Sequence, residues 1–183
     1  MKRWKLWLPL AALAGSLIAG VAAAGVPLPH TSSVIATLGA NRIQIVHEQT
    51  CTGDDGQYRA AAELYAGSIG GDPRLNGVAT LFLHSLTNTT TGNGTLQGAM
   101  LVVDPQSQQV RFRAALMGVS SGGVMTGLAT GYVRDLSNNP GGLLTANFQA
   151  ISNGTSLYVS FGGPGTNAHP AMIQRGYCQP SAK

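Results

Sequence analysis

Hydrophobic and polar residues alternate with a period of two through most of the chain beyond residue 41, and turn-forming residues separate the alternating segments. This alternation is typical of strands with one buried face. Tyr58–Gly67 is ambiguous because its alanines favour a helix by propensity, but its residues also alternate, so we predict a strand there. The eight predicted strands are Arg42–Glu48, Tyr58–Gly67, Gly77–Leu86, Thr95–Val103, Gln109–Leu116, Val124–Val133, Leu143–Ile151 and Leu157–Phe161.

The connections between these segments are too short for parallel crossovers, so sequential strands are expected to be antiparallel neighbours. Gly98, Gly127 and Gly131 interrupt strand patterns, where glycine marks the sharp bends that closing a sheet requires. We therefore predict an all-β fold, a small antiparallel barrel of roughly eight strands, with a two-sheet β-sandwich as the alternative. The predicted interior positions are Val110, Phe112, Leu116, Leu144, Phe148, Leu157, Val159 and Phe161, with the small residues Ala114, Ala146, Ala150 and Gly98 among them.

The composition fits one globular domain. The chain has 183 residues, of which 44% are hydrophobic and 10% are charged. Intrinsic disorder requires low hydrophobicity and high net charge, so that class is excluded. The net charge is +4, but Lys2, Arg3 and Lys5 supply most of the excess, and no basic stripe that could neutralise several phosphates remains. We therefore expect no nucleic-acid partner.

The first residues resemble an export signal. The basic start is followed by the apolar run Leu6–Val21 and by Ala22-Ala23-Ala24, an A-x-A pattern at which signal peptidase cleaves. We predict a signal peptide over residues 1–24, a flexible leader over 25–40 and a single barrel domain over 41–183. The alternative is an uncleaved membrane anchor, because the apolar run is about long enough to span a bilayer. Both predictions place the domain in a secreted or cell-envelope location.

An exported chain with two cysteines is expected to form one structural disulfide, here between Cys51 and Cys178. A zinc site would need further ligands. The four histidines are isolated from one another, with no spacing typical of metal ligands. We therefore predict neither a metal site nor a cofactor.

Short motifs do not identify a catalytic residue. The segment Gly118–Gly122 matches the G-x-S-x-G pattern around Ser120, but a nucleophile elbow needs a helix after the serine, and a strand is predicted there. A glycine-serine hairpin turn is the plainer interpretation. Asp54-Asp55-Gly56 lacks the further oxygen ligands of a calcium loop and is interpreted as a turn. Arg111 and Arg113 share one strand face, which is either a solvated surface or an anion contact for a ligand or partner.

Three segments carry a resemblance to known proteins: Gly70–Gly77, the spacing of Gly92, Gly94 and Gly98, and Leu144–Phe148. Together they look like a group of uncharacterised secreted bacterial all-β proteins. At fold level these are similar to small barrels of the allene oxide cyclase and dirigent type. The resemblance implies a central cavity for apolar ligands or intermediates. It transfers no catalytic residue, because the matching segments are turn and packing signatures.

The sequence thus predicts a non-catalytic exported barrel that binds a small apolar ligand or a protein partner. One alternative is an enzyme of cyclase or isomerase type that uses the barrel cavity. The other is a structural or surface protein held in the membrane by an uncleaved N-terminal segment. Small residues at several interior positions favour a cavity with room for one ligand.

Overall fold

The computed structural model describes residues 34–134 and 141–162, which form a closed antiparallel β-barrel. Each strand pairs with the next one along the chain, and the last strand pairs with the first. This arrangement confirms the predicted barrel rather than the β-sandwich. The strands are β1 Ala36–Gly53, β2 Gly56–Gly70, β3 Gly77–Asn88, β4 Gly94–Val103, β5 Val110–Ser121, β6 Val124–Val133, β7 Gly142–Ser152 and β8 Ser156–Phe161.

The largest difference from the predicted boundaries is at the start of β1. The leader was expected to extend to residue 40, but β1 begins at Ala36. Residues 36–40 pair with β8, from Ala36 opposite Phe161 to Ala40 opposite Leu157, and thereby close the barrel. The leader prediction is wrong for these residues because their alternate side chains are buried against β8, a long-range contact that local composition does not reveal.

The β1–β2 hairpin extends beyond the strand that closes the barrel. Asn41 is the last β1 residue opposite β8, whereas the pairing with β2 continues to Gly53 opposite Gly56. The register shifts twice within this extension, which identifies two β-bulges. Ile43 and Ile45, which were predicted to share one strand face, lie at these bulges and are 60% and 43% exposed. They therefore add little to the core.

The barrel interior is filled by large apolar side chains. Phe112, Phe148 and Phe161 are each at most 2% exposed, and the rings of Phe148 and Phe161 lie 6.3 Å apart. Gly127 makes room for one of these rings, because a Cβ at this position would lie 2.6 Å from carbons of the Phe148 ring. Leu75, in the loop between β2 and β3, joins the same core. Ten of the twelve predicted interior residues are buried, and the two exceptions, Val110 and Gly98, are half-buried.

Candidate functional site

A cluster of charged side chains lies on the inward face of β1 and β2, on the hairpin side of the aromatic core. Glu63 is opposite Leu83 of β3 and therefore points into the barrel, where its side chain is 7% exposed. Its Oε1 accepts hydrogen bonds from Arg42 Nη1 at 2.9 Å and from Arg59 Nη2 at 2.7 Å. Tyr65 donates its hydroxyl to Glu63 Oε2 at 2.8 Å. Both carboxylate oxygens are therefore occupied.

The surroundings shift the pKa values of Glu63 and Tyr65 in opposite directions, each further from neutral pH. Burial raises the pKa of Glu63, but hydrogen bonds from Arg59, Tyr65 and Arg42 outweigh it, so the pKa is below its usual value. Burial, and then the hydrogen bond to Glu63, raise the pKa of Tyr65 to about 12. A general acid or base works best with a pKa near the working pH. The geometry and the pKa values are those of a structural ion network.

A groove of about 450 Å³ lies on the outside of the barrel across β3, β4, β5 and β6. Ala99 and Ala115 are cross-strand partners and form its floor, because their small side chains leave a depression between neighbouring strands. The next row of outward positions pairs Leu101 with Arg113. We call this feature the outer groove; its lining residues are Thr80, Phe82, Ala99, Met100, Leu101, Arg113, Ala114, Ala115, Thr130 and Gly131.

Large apolar side chains also surround the outer groove. Tyr132 lies opposite Arg113, and Leu143 lies opposite Tyr132; they are 54% and 90% exposed. Met117 lies one outward position beyond Ala115 on β5 and is 68% exposed. Contiguous exposed apolar surface of this kind marks binding sites more often than does a single exposed residue. The groove and its margin therefore form the candidate site.

The two arginines singled out in the sequence have different environments. Arg111 donates to Asp104 Oδ2 through Nε at 2.7 Å and through Nη2, and to the Pro73 carbonyl through Nη1 at 3.2 Å. It connects the loop after β2 to the loop after β4. Arg113 lines the outer groove, and within the described residues no carboxylate pairs with it. Of these two arginines, Arg113 is the one without a carboxylate partner in the described residues, and it is the candidate for an anion contact.

The carboxyl group that holds Arg111 is itself strongly fixed. Hydrogen bonds from the Ser107 backbone N–H, the Arg111 side chain and the Gln106 backbone N–H lower the pKa of Asp104 to about 2. Asp104 therefore keeps its charge, and Arg111 its partner, at any ordinary pH. Among the described residues, Arg111 is therefore paired and Arg113 is not, whatever the pH within this range.

The structure confirms the turn at Asp54 and Asp55 but places most of the Gly118–Gly122 motif in a strand rather than in a turn. Ser120 lies within β5 and donates its hydroxyl to the Gly92 carbonyl at 3.0 Å. The turn that follows consists of Gly122 and Gly123, both with positive φ, and leads directly into β6. Ser120 therefore has neither the helix nor the exposed geometry of a nucleophile elbow. Asp54 and Asp55 form the two-residue turn between β1 and β2.

The predicted disulfide joins residues of which only one is described. Cys51 lies in β1, opposite Tyr58, and Cys178 lies outside the described residues, so the pairing stays a prediction. Across residues 34–134 and 141–162, no cluster of three or more His, Cys, Asp or Glu side chains has a geometry for a metal ion. The same part of the chain contains no helix of sufficient length and apolarity to cross a membrane.

The chain matches no protein-family model, no curated protein and no solved structure. The relationship to barrels of the allene oxide cyclase and dirigent type therefore stays a prediction from the sequence. A barrel fold hosts many unrelated functions, so the function of this protein depends on the residues of its site.

Proposed function

We propose that this protein is an exported, non-catalytic binding protein whose ligand lies in the outer groove. The observation that carries the proposal is the apolar depression of about 450 Å³ across β3 to β6. Small-molecule sites are concave, have volumes of about 300–1,000 Å³ and are lined mainly by apolar groups. The basic and apolar N-terminal segment supports export, and export supports a disulfide between Cys51 and Cys178.

The filled interior favours the outside of the barrel as the place for the ligand. Resemblance to cavity-containing barrels predicted an internal site, with small residues leaving room for it. Phe112, Phe148 and Phe161 occupy the interior beside those small residues. An eight-stranded barrel has just enough internal width for its own side chains or for one small ligand. The three buried phenylalanines favour an interior that is filled by the protein's own side chains.

The enzyme alternative has weaker support. Glu63 and Tyr65 converge inside the barrel, as the acid and base of an isomerase would, but each is hydrogen-bonded to the other. Arg42 and Arg59 both donate to the other carboxylate oxygen, Oε1. A substrate would have to displace these partners before either group could act on it.

Filling the outer groove tests the proposal. Ala115→Leu adds three carbons to the groove floor, whereas Thr37→Leu places the same leucine side chain on β1, on the opposite side of the barrel. The probe is N-phenyl-1-naphthylamine, a neutral apolar fluorophore, titrated against the purified protein. We expect Ala115→Leu to weaken binding at least about tenfold, equivalent to roughly 1.4 kcal/mol, and Thr37→Leu to leave it unchanged.

Two controls make this result decisive. Urea midpoints of both variants establish that each is folded, because an exposed substitution is expected to change stability little. Crosspeak changes in NMR spectra locate the bound probe. Equal binding by the two variants, or changes confined to the residues around Phe148, would overturn the assignment to the outer groove.

A further inference from the structure

We propose that the ligand of the outer groove is an amphipathic anion, whose hydrocarbon chain lies along the groove and whose single carboxylate binds the Arg113 guanidinium. This inference rests on the proposed function and specifies its ligand class. Arg113 is the charged residue among the groove-lining side chains. Its outward cross-strand neighbours are Leu101 and Tyr132, which are apolar or aromatic. The site thus combines an apolar depression with one cation at its margin.

No acidic side chain within residues 34–134 and 141–162 supplies a counter-charge for Arg113. In the part of the chain that the structure describes, Glu48 and Glu63 are bound to Arg59, and Asp104 is bound to Arg111. Asp72 is bound to Arg74 in the loop after β2. The remaining acidic side chains in these ranges, Asp54 and Asp55, lie at the tip of the β1–β2 hairpin.

Carboxylate suits this position because of the geometry of its partner. A guanidinium presents paired N–H donors that match the two oxygens of a carboxylate, and it is less strongly hydrated than an ammonium group. The hydrocarbon part of the same ligand would cover Ala99 and Ala115, which offer contacts but no hydrogen bonds. A neutral apolar ligand would gain nothing from the charge of Arg113, which is exposed to water.

Charge argues against two other occupants of this face. An anionic membrane attracts a protein through several basic residues, each worth about 1 kcal/mol, and the outer groove offers one. A second copy of the chain that docked on the same face by twofold symmetry would place two Arg113 side chains in one interface, with no acidic residue among the groove-lining side chains. Like charges at such a contact oppose association.

The experiment compares decanoate with decanol, two probes that have the same chain length and differ in the charged group. Binding is measured by isothermal titration at pH 8, below the concentration at which decanoate forms micelles. We expect the protein to prefer decanoate about threefold to tenfold, the range for a partly exposed arginine–carboxylate pair. The preference should decrease as salt is added, because salt screens exposed charges.

Variants assign the preference to one side chain. Arg113→Gln should reduce the ratio of the two affinities to about one, and Arg113→Lys should retain part of the preference. Arg134→Gln is the matched control, because it removes an exposed arginine next to β6 that does not line the groove. It should leave the ratio unchanged. Using the ratio cancels any loss of contacts with the apolar stem of Arg113.

The outcomes separate this inference from the proposed function. If both probes bind equally and Ala115→Leu weakens both, the groove binds ligands but the anion assignment is wrong. If neither probe binds but N-phenyl-1-naphthylamine still binds in the groove, this inference fails and the proposed function stands; if none of the three binds, both fail. Binding to anionic vesicles that depends on Arg113, without binding of free decanoate, would overturn the inference in favour of a membrane. Dimerisation in ultracentrifugation that Ala115→Leu abolishes would overturn it in favour of a second copy.

Discussion

Replacing Glu63 with glutamine is expected to destabilise the barrel far more than most single changes of a charged side chain. The substitution keeps the shape of the side chain but removes the charge that two arginines share. Glu63 accepts hydrogen bonds from Arg42, Arg59 and Tyr65, at 2.9, 2.7 and 2.8 Å. With an amide at this position, the guanidinium groups lose their shared counter-charge inside the barrel.

The magnitude follows from the burial of each partner. Removing one member of a fully buried ion pair costs about 3–5 kcal/mol. The Arg42 and Arg59 side chains are 23% and 31% exposed, so water recovers part of their solvation, and Arg59 keeps Glu48 as a partner. We therefore expect a loss of about 2 kcal/mol in the free energy of unfolding, reduced from the buried value because water screens partly exposed pairs.

Urea denaturation followed by far-UV circular dichroism measures this loss. For a slope of about 2 kcal/mol per molar urea, the midpoint should fall by about 1 M. Glu48→Gln is the matched control, because Glu48 binds only one of the same arginines and its side chain is 41% exposed. If Glu63→Gln lowers the midpoint no more than Glu48→Gln does, the ion network does not stabilise the fold and our reasoning is wrong.

The pH dependence supplies a second test of the same network. The folded pKa of Glu63 lies below its ordinary value of 4.5, because hydrogen bonds from Arg59, Tyr65 and Arg42 outweigh the opposing effect of burial. The unfolded chain therefore takes up the proton first as the pH falls. The stabilisation by Glu63 is complete above pH 4.5 and is lost as the pH falls through the folded pKa. The difference between the native protein and Glu63→Gln should accordingly shrink only below about pH 4.5.

Three further predictions concern the core and the two ends of the chain. Gly127→Ala should cost at least about 2 kcal/mol in urea denaturation, within the usual range for overpacking, because its Cβ would clash with the Met117 backbone carbonyl oxygen and would lie 2.6 Å from the Phe148 ring; an unchanged midpoint would contradict the packing. Non-reducing peptide mapping should recover Cys51 linked to Cys178, and reduction should cost about 2–5 kcal/mol; two free thiols would contradict the pairing. Intact-mass analysis of exported protein should give a chain that starts at Gly25, and a mass that retains the first 24 residues would favour the membrane anchor.

The strands could be predicted because each alternates locally and ends at a turn. Tyr58–Gly67 is instructive, since its alanines favour a helix and only the alternation indicated β2. The start of β1 could not be predicted in this way. Residues 36–40 contain one large apolar side chain, Leu38, among small residues, which is too weak a pattern to predict a strand. They form a strand because they pair with β8, more than a hundred residues further along the chain.

The ion network illustrates why a charged residue can occupy an interior position. A simple rule that places apolar residues inside would turn Ala60, Ala62 and Leu64 inward. The structure instead turns Glu63 and Tyr65 inward, because Glu63 lies opposite Leu83 in the register of β2 and β3. The cost of burying the carboxylate is offset by the partners that β1 and β2 supply. For β2, sequence alternation identified the two faces of the strand but not which of them the closing sheet turns inward.

The outer groove depends on register in the same way. Ala99 and Ala115 are separated by 16 positions in the sequence, and nothing local marks either as part of a site. They become neighbours only when β4 and β5 pair. The one signal available beforehand was the pair Arg111 and Arg113, for which an anion contact was an alternative. The structure separates the two arginines by giving Arg111 a carboxylate partner, which the sequence could not indicate because Asp104 lies in a loop.

The apolar side chains of the outer groove are not explained by the packing of the barrel core. The barrel obtains its stability from an interior that the phenylalanines fill, so the apolar residues on the outside of β3 to β6 are not needed to close the core. Polar side chains such as Thr145 and Gln149 show that outward positions of this barrel accept hydrophilic residues. An apolar depression beside an arginine, on a surface that could have been polar, is what a site for an amphipathic anion requires. The barrel would then serve as a rigid support that holds the floor and the cation of the groove in fixed positions, which lowers the entropy cost of binding.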